Sequence, residues 1–465
     1  NFCKNPACRN FGVPADVVKW RRTGKSGLAA IPGTAYKLTA VGDSRPALKC
    51  LLCGEHFSLK SNQAVAEELT RFAKYLLPSD PVCCSTPDCV NQTVPVGTAK
   101  AYKRFGKTAA GTPRWRCQAC GKTLSTGGKA LKRQRITHLN KTILLALTNK
   151  MPIRRILKVT GITASTLYGK IDFLYRQCLA FAGERERALM KLAVPRLYIS
   201  VDRQEYMVNW SRYTDRRNIV LRAVGSADNA SGYVFGMNLN FDPEVDPETV
   251  EADARDIGDA EVSYPHRKYA RLWLQADYAE AVLDAHKVRA RRAAKGKVPV
   301  TLGDEIQESY EDAAEREDSE ASEAKDAEQR LPESRGMQVH EEYSLYGHFM
   351  MLKNVLRWVG KIRFFLDQDS GMRAACLAAF AQDIKIRRVD AFFVRTAKDL
   401  AVHAKRAELS KAKAAFSRMH EANPELTGDQ VKLAMMKQEI ARAAPFGKWS
   451  DRWCLHPVPN MSEPR

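Results

Sequence analysis

Nine of the twelve cysteines of this 465-residue chain fall within residues 1–120, and eight of them form two sets with one spacing rule. Cys3 and Cys8 are followed by Cys50 and Cys53; Cys84 and Cys89 are followed by Cys117 and Cys120. The segment CKNPACRNFGVP (3–14) aligns without gaps on CSTPDCVNQTVP (84–95), with six of twelve positions identical. Tyr36-Lys37 and Tyr102-Lys103 recur before the second pairs, and Cys50-Leu-Leu-Cys-Gly parallels Cys117-Gln-Ala-Cys-Gly. Two close thiol pairs, each gripping from a tight turn, are the donor set of a tetrahedral zinc ion. Two tandem zinc ribbons are therefore expected, over 1–75 and 76–132, each with one structural Zn2+. Disulfides are the competing use. The N-terminal NFCKNPACRN has no apolar leader, and a large basic chain of this kind points to a reducing compartment. Cys84 rather than its neighbour Cys83 keeps the repeat's spacing. His56 is a spare donor beside a complete set, and Cys178, Cys376 and Cys454 read as ordinary thiols.

The net charge of +21 is confined to one part of the chain. Residues 1–190 hold 32 Lys/Arg against 10 Asp/Glu, whereas 191–465 hold 42 against 43. Residues 101–150 carry 12 basic and no acidic side chains. A solubility surface mixes both signs; a one-signed block is the footprint of a nucleic-acid binder. The ribbon loops concentrate it with aromatic residues: Trp20, Arg21, Arg22 and Lys25, then Lys103, Arg104, Lys107, Arg114, Trp115 and Arg116, with Lys132 and Arg133 following. These are expected phosphate contacts. No stretch of 18 apolar residues exists, so no membrane-spanning helix is expected, and a cytoplasmic, nucleoid-associated location follows. Without an initial Met, and stopping at Arg465, the sequence reads as trimmed at both ends.

Helical periodicity dominates 133–190. ITHLNKTILLALTNK (136–150) precedes MPIRRILKVTGITASTLYGKIDFLYRQC (151–178). Pro152 suits a first helical position, Gly161 a left-handed turn and Thr163 a helix cap. Apolar stripes at Ile153, Ile156, Leu157 and at Leu167, Ile171, Leu174 complete an all-α helix-turn-helix. Ser165, Thr166, Tyr168 and Lys170 are then expected to point outward from a recognition helix toward DNA base edges.

Residues 191–465 read as an α/β core. Strands are expected at 196–210, 217–228 and 231–242, a helix at 342–359, a strand at 361–371, a helix, and a strand at 387–395. Acidic residues sit in the first and fourth strands, which is the ribonuclease H-like plan. Two insertions interrupt it, at about 243–340 and 399–444. The first contains a helix-like stretch at 269–292 and the run 304–334, with 13 acidic and 3 basic residues, read as a solvated helix or disordered loop. The second is Lys/Ala-rich and broken near Asn423-Pro424.

Basic tandem ribbons ending in RWRCQACGKTLS, a helix-turn-helix and strand-borne aspartates together resemble a bacterial insertion-sequence transposase of the DDE type. The resemblance implies a metal-dependent enzyme that cuts and joins DNA at terminal inverted repeats. Its partners are double-stranded transposon ends and target, and it acts as a homodimer or larger assembly with no membrane. Two Mg2+ or Mn2+ ions held by two Asp and a Glu are implied, because hard oxygen ligands suit these ions. Asp202 matches the first acid. Asp367 and Asp369 both qualify as the second, and Asp369-Ser-Gly371 resembles the family's Asp-x-Gly turn, favouring Asp369. Glu463 is the first choice for the third, Glu439 the second, and a Glu beyond Arg465 the remaining alternative. The rival readings are a catalytically inactive, transposase-derived DNA-binding regulator and a nuclease that cuts without joining.

Overall fold

The structure is a computed structural model. It describes residues 1–16, 18–21, 28–31, 33–41, 45–77, 82–109, 111–126, 134–209, 218–278, 336–367, 369–395, 402–442, 445–446 and 451–455. Arg22, Lys25, Lys132, Arg133, the acidic run 304–334 and Glu463 lie outside the described residues, as does the expected helix beyond residue 278. The chain forms two compact units: 1–72 together with 190–465, and 73–189.

The first unit begins with the first cysteine set. A two-stranded ribbon, β1 (Val18–Arg21) and β2 (Leu28–Ile31), precedes a three-stranded antiparallel sheet of β3 (Tyr36–Val41), β4 (Arg45–Cys50) and β5 (His56–Ser58). Helix α1 (Asn62–Ala73) follows.

In the second unit, β6 (Tyr102–Lys107), β7 (Pro113–Cys117) and β8 (Thr123–Ser125) form the matching sheet around the second set. Three helices follow: α2 (Asn140–Thr148), α3 (Ile153–Thr160) and α4 (Ala164–Leu189). Ile143, Ile156 and Leu167, one from each helix, are fully buried together. Gly161 ends α3 with φ +68°, the left-handed conformation that glycine adopts without a Cβ penalty. The Thr163 hydroxyl accepts the Thr166 N–H at 3.3 Å, capping α4. Pro152 stands one residue earlier than expected, as the cap of α3 rather than its first residue. Ser165 and Tyr168 are exposed, and Thr166 is half-buried. Lys170 departs from the expectation: it is buried, and its ammonium donates to the Arg135 carbonyl and to Gln134 Oε1. Its stem lies on the apolar side, so the charge is spent holding the segment before α2.

The rest of the first unit is built on a seven-stranded mixed sheet. A long hairpin of β9 (Val194–Asn209), β10 (Asn218–Asp228) and β11 (Val234–Leu239) is antiparallel. A two-residue ladder, β12 (Phe241–Asp242) on β13 (Met337–Gln338), closes the base of the first insertion. Its described part contains α5 (Pro247–Asp256), started by Pro247 and capped by Asp246. Helix α6 (Glu341–Val355) leads to β14 (Val359–Leu366), which pairs parallel with β9. Helices α7 (Ser370–Ala379) and α8 (Ala381–Lys385) lead to β15 (Val389–Arg395), parallel to β14. Helices α9 (Val402–Ala422) and α10 (Gly428–Arg442) precede the edge strand β16 (Pro445–Phe446) and its neighbour β17 (Asp451–Leu455). The sheet order is β11-β10-β9-β14-β15-β17-β16.

Strand alternation sorts the sheet's two faces. Ile199 and Val201 of β9, with Phe364 and Leu366 of β14, are buried on the face covered by α6, α7 and α8, where Phe364 meets Phe349 and Phe380 at 5.8 and 5.0 Å between ring centroids. Tyr198 and Phe365, on the other face, pack with Phe392, Val394, Leu433 and Met436. Helix α10 therefore lies on this second face. Composition marked 399–444 as an insertion, but Val431 and Met436 of α10 are buried, each contributing about 1.5–3 kcal/mol if fully desolvated. Helix α10 of this segment therefore adds to the core layer.

The first ribbon is bound into this unit. Phe11 is buried against Leu377 and Ala381, Lys60 pairs with Glu342, and Arg71 donates to the Leu239 and Phe241 carbonyls at 2.8 and 2.9 Å. Gly347 allows α1 to approach α6: a Cβ there would lie 2.8 Å from Glu68 Cβ.

Helix α6 also carries His348, buried between Asn238, whose amide donates to Nδ1 at 2.7 Å, and Ser226, whose hydroxyl lies 2.6 Å from Nε2. With Nδ1 accepting, Nε2 holds the proton and the ring is neutral. Burial lowers its pKa from the ordinary 6.5 to about 3. The unfolded ring charges first as acid is added. Stability is therefore complete above pH 6.5 and falls through the window down to about 3, by about 1.4 kcal/mol per pH unit at most. Urea unfolding of His348→Gln should show a flatter pH dependence than wild type between pH 6.5 and 5. Equal slopes would exclude this histidine as the source.

Candidate functional site

The two cysteine sets converge as two four-thiol sites. Within each, the four sulfurs lie within 4.8 Å of one another: Cys3, Cys8, Cys50 and Cys53, and Cys84, Cys89, Cys117 and Cys120. Sulfurs 2.3 Å from a tetrahedral zinc stand about 3.8 Å apart. The observed separations are 3.5 Å for Cys3–Cys53, 3.8 Å for Cys8–Cys50, 3.4 Å for Cys84–Cys120 and 3.7 Å for Cys89–Cys117. The donor chemistry and spacing fit zinc at both sites. Neither Cys83 nor His56 belongs to a set.

The repeat extends beyond the ligands. The Tyr36 hydroxyl accepts the Cys3 N–H and lies 2.8 and 2.7 Å from the Asn10 and Val13 carbonyls; Tyr102 does the same with Cys84, Asn91 and Val94. The Asn10 amide donates to Cys50 Sγ at 3.4 Å, and Asn91 to Cys117 Sγ at 3.2 Å. The Cys120 backbone N–H, with the Asn91 and Ala119 donors, lowers the Cys117 pKa to about 6. Burial raises Cys50, but the Cys53 and Leu52 N–H groups and Asn10 bring it to about 7. Donors aimed at sulfur favour the thiolate that a metal binds. Asn10/Asn91 and Tyr36/Tyr102 were visible as identities in the repeat, yet only the folded chain shows what they do. Asn91→Ala and Tyr102→Phe should each weaken zinc at the second site by about 10- to 100-fold, in competition with a chromogenic chelator, with the first site unchanged.

Of the residues expected to contact phosphate, Arg104 and Arg116 are exposed and Arg114 is half-buried on the second ribbon's sheet. Trp20 and Arg21 belong to β1.

The acidic candidates gather at one end of the mixed sheet. Asp202 is exposed on β9, opposite Gly225 of β10. Val201 pairs with Leu366, the last residue of β14, so Asp202 and Asp367 are the residues that directly follow the final pair of this ladder. Alternation points Asp202 to the face that carries α10. Asp369 is engaged otherwise. It caps α7 by accepting the Met372 N–H at 2.9 Å, and it pairs with Arg203 at 3.0 Å. Arg203 belongs to the opposite face and also meets the buried Glu341 at 2.9 Å. Burial alone would lower the Arg203 pKa, yet Asp369 and Glu341 raise it and fix the charge. In this structure the Asp369-Ser-Gly371 segment is a helix-capping turn. Glu463 is outside the described residues. Glu439 is on α10, one turn beyond Met436. Asp429 at the start of α10 bonds Tyr198, and Met436 packs on Phe365 and Val394. The helix thus climbs toward the Asp202–Asp367 end, where Glu439 follows, half-exposed beside Arg442 at 3.5 Å. Among the described residues, only the two cysteine sets bring three or more ligand atoms within 4.8 Å.

No described helix is long and apolar enough to cross a membrane. No family model, curated protein or solved structure matches the chain.

Proposed function

We propose that the chain is a DNA strand-cleaving and strand-joining enzyme of the DDE transposase type. The observation that carries this reading is the sheet order, in which an antiparallel hairpin is followed by parallel strands and two aspartates, Asp202 and Asp367, follow the last pair of the central β9–β14 ladder. That order and placement support a ribonuclease H-like core. Asp202, Asp367 and Glu439 are the carboxylates we assign to it. Carboxylate oxygen donors suit Mg2+ or Mn2+. When bound, two such ions activate the attacking oxygen and stabilise the leaving oxygen of an in-line phosphodiester displacement. In this reading Asp202, on β9, and Asp367, directly after β14, hold one side of the site, and Glu439 of α10 is the third acid. Arg203 keeps Asp369 on the far face.

The zinc-bearing ribbons and the helices α2–α4 supply DNA binding in this reading, with α3–α4 as a helix-turn-helix. The basic block of 101–150 supports it, as do Ser165 and Tyr168 at the exposed start of α4.

The test is a plasmid assay with the zinc-loaded chain. Duplexes selected by the protein from a randomised library are offered with a supercoiled plasmid and Mg2+ or Mn2+. Joined products that vanish with Asp202→Asn are expected. Selection of a duplex followed by no products with either metal would overturn the enzyme reading and leave a regulator. Nicking without joining would leave a nuclease. The regulator is kept by one observation, the lack of a third carboxylate in contact with the pair among the described residues.

A further inference from the structure

The second ribbon presents a feature that phosphate binding does not use. Strand β6 is YKRFGK, and its register on β7 slips between Arg104 and Lys107, so Phe105 and Gly106 together oppose Arg114. Gly106 has φ +76°, which lets the chain make this bulge, and bulges re-aim side chains. Phe105 is 46 % exposed. Arg114 and Arg116 each place a guanidinium 5.7 Å from its ring centroid. Lys103 pairs with Arg116 across the strands and shares its face. The opposite face packs inward, with Trp115 against the cysteine core. No Asp or Glu occurs between Asp88 and Asp172, so no carboxylate of that stretch neutralises these cations.

We propose that this outer face binds single-stranded or locally unpaired DNA, with a base stacked on Phe105 and its flanking phosphates on Arg114, Arg116 and Lys103. The cations alone would suit any duplex backbone. An aromatic ring adds nothing to a phosphate contact. It adds stacking when a base exposes its π-face, and paired bases in a duplex do not. Arginines beside the ring strengthen such a platform through cation–π contact. Basic charge and an accessible ring on one carboxylate-free sheet face make a stacking platform. The proposal goes beyond the strand-joining reading and does not rest on the carboxylates.

The test uses the full zinc-loaded chain without Mg2+ or Mn2+, and a fluorescein-labelled 15-mer oligo(dT) beside its duplex with oligo(dA). Stacking contributes about 1–3 kcal/mol per base, or about 5- to 150-fold in affinity. Phe105→Ala should weaken oligo(dT) binding within that range and duplex binding less than twofold, while Phe105→Trp restores it. Arg114→Ala/Arg116→Ala should weaken both. An oligonucleotide carrying 2-aminopurine should be quenched by wild type and not by Phe105→Ala. Two zinc ions per chain in each variant verify that the ribbon is folded. Equal losses on both DNAs, no loss on either, or unchanged quenching would overturn the proposal. Loss of strand joining in the plasmid assay leaves this measurement unaffected.

Discussion

Asp202→Asn and Asp367→Asn should each lower metal-dependent strand cleavage by at least about 10³-fold, about 4 kcal/mol of barrier, while Asp369→Asn stays within tenfold of wild type. The contrast follows from where the acids sit. Asp202 and Asp367 directly follow the last pair of the β9–β14 ladder, and under the proposed function losing either carboxylate removes an oxygen ligand from the two-ion site. Asp369 caps α7 and pairs with Arg203 on the other face. Asn is as good a cap as Asp, so the variant loses mainly the ion pair and shows a lower melting temperature instead. Glu439→Gln should behave as the aspartate variants do. Single-turnover cleavage of a selected duplex, with binding measured in parallel, separates the outcomes. An inactive Asp369→Asn beside an active Asp367→Asn would return the second acid to Asp369. An active Glu439→Gln would move the third acid elsewhere on the chain.

Zinc removal should have the other large effect, and it should differ between the two sites. Each ribbon has few buried apolar side chains of its own: Cys84, Tyr102 and Cys117 make up the buried set of the second, and two of those are ligands. A structural zinc supplies about 10–16 kcal/mol of apparent binding free energy in small zinc domains, which is then folding free energy. Cys84→Ser should unfold the second ribbon and leave the sheet-bearing unit melting at its wild-type temperature. Cys3→Ser should also lower the melting of the sheet, because Phe11, α1 and Lys60 tie the first ribbon to α6, α7 and α8. Calorimetry with metal analysis of the two variants would check this. A sheet transition unmoved by Cys3→Ser would show the first ribbon to be thermodynamically separate.

Much of the architecture could be read before the fold was known, because its signals were local or repeated. The cysteine spacing named all eight sulfurs, and the gapless repeat chose Cys84 over Cys83. Gly161 and Thr163 marked the turn and cap between α3 and α4 through their own backbone needs. Strand alternation around Asp202 located β9 to within two residues at its start. What escaped was set by distant partners. Nothing near Lys170 announces that its ammonium is needed by the Arg135 carbonyl. Asp367 and Asp369 are indistinguishable in composition, and it takes the fold to show that Asp369 caps α7 and pairs with Arg203. Segment 399–444 looked peripheral because α10 mixes Lys with Ala, whereas Val431 and Met436 on one side of it are buried.

One substitution within the repeat carries a lesson of its own. Position for position, Phe11 of the first ribbon corresponds to Gln92 of the second. Phe11 is buried against Leu377 and Ala381, whereas Gln92 is exposed. Two copies of one metal-held knot thus differ at the spot where a knot would be mounted. With an apolar stud there, the module becomes masonry, part of the wall behind the carboxylates. With an amide there, the same module keeps that spot in water, free to serve as a tool. An exchange of these two side chains would test whether one residue is enough to convert building block into instrument.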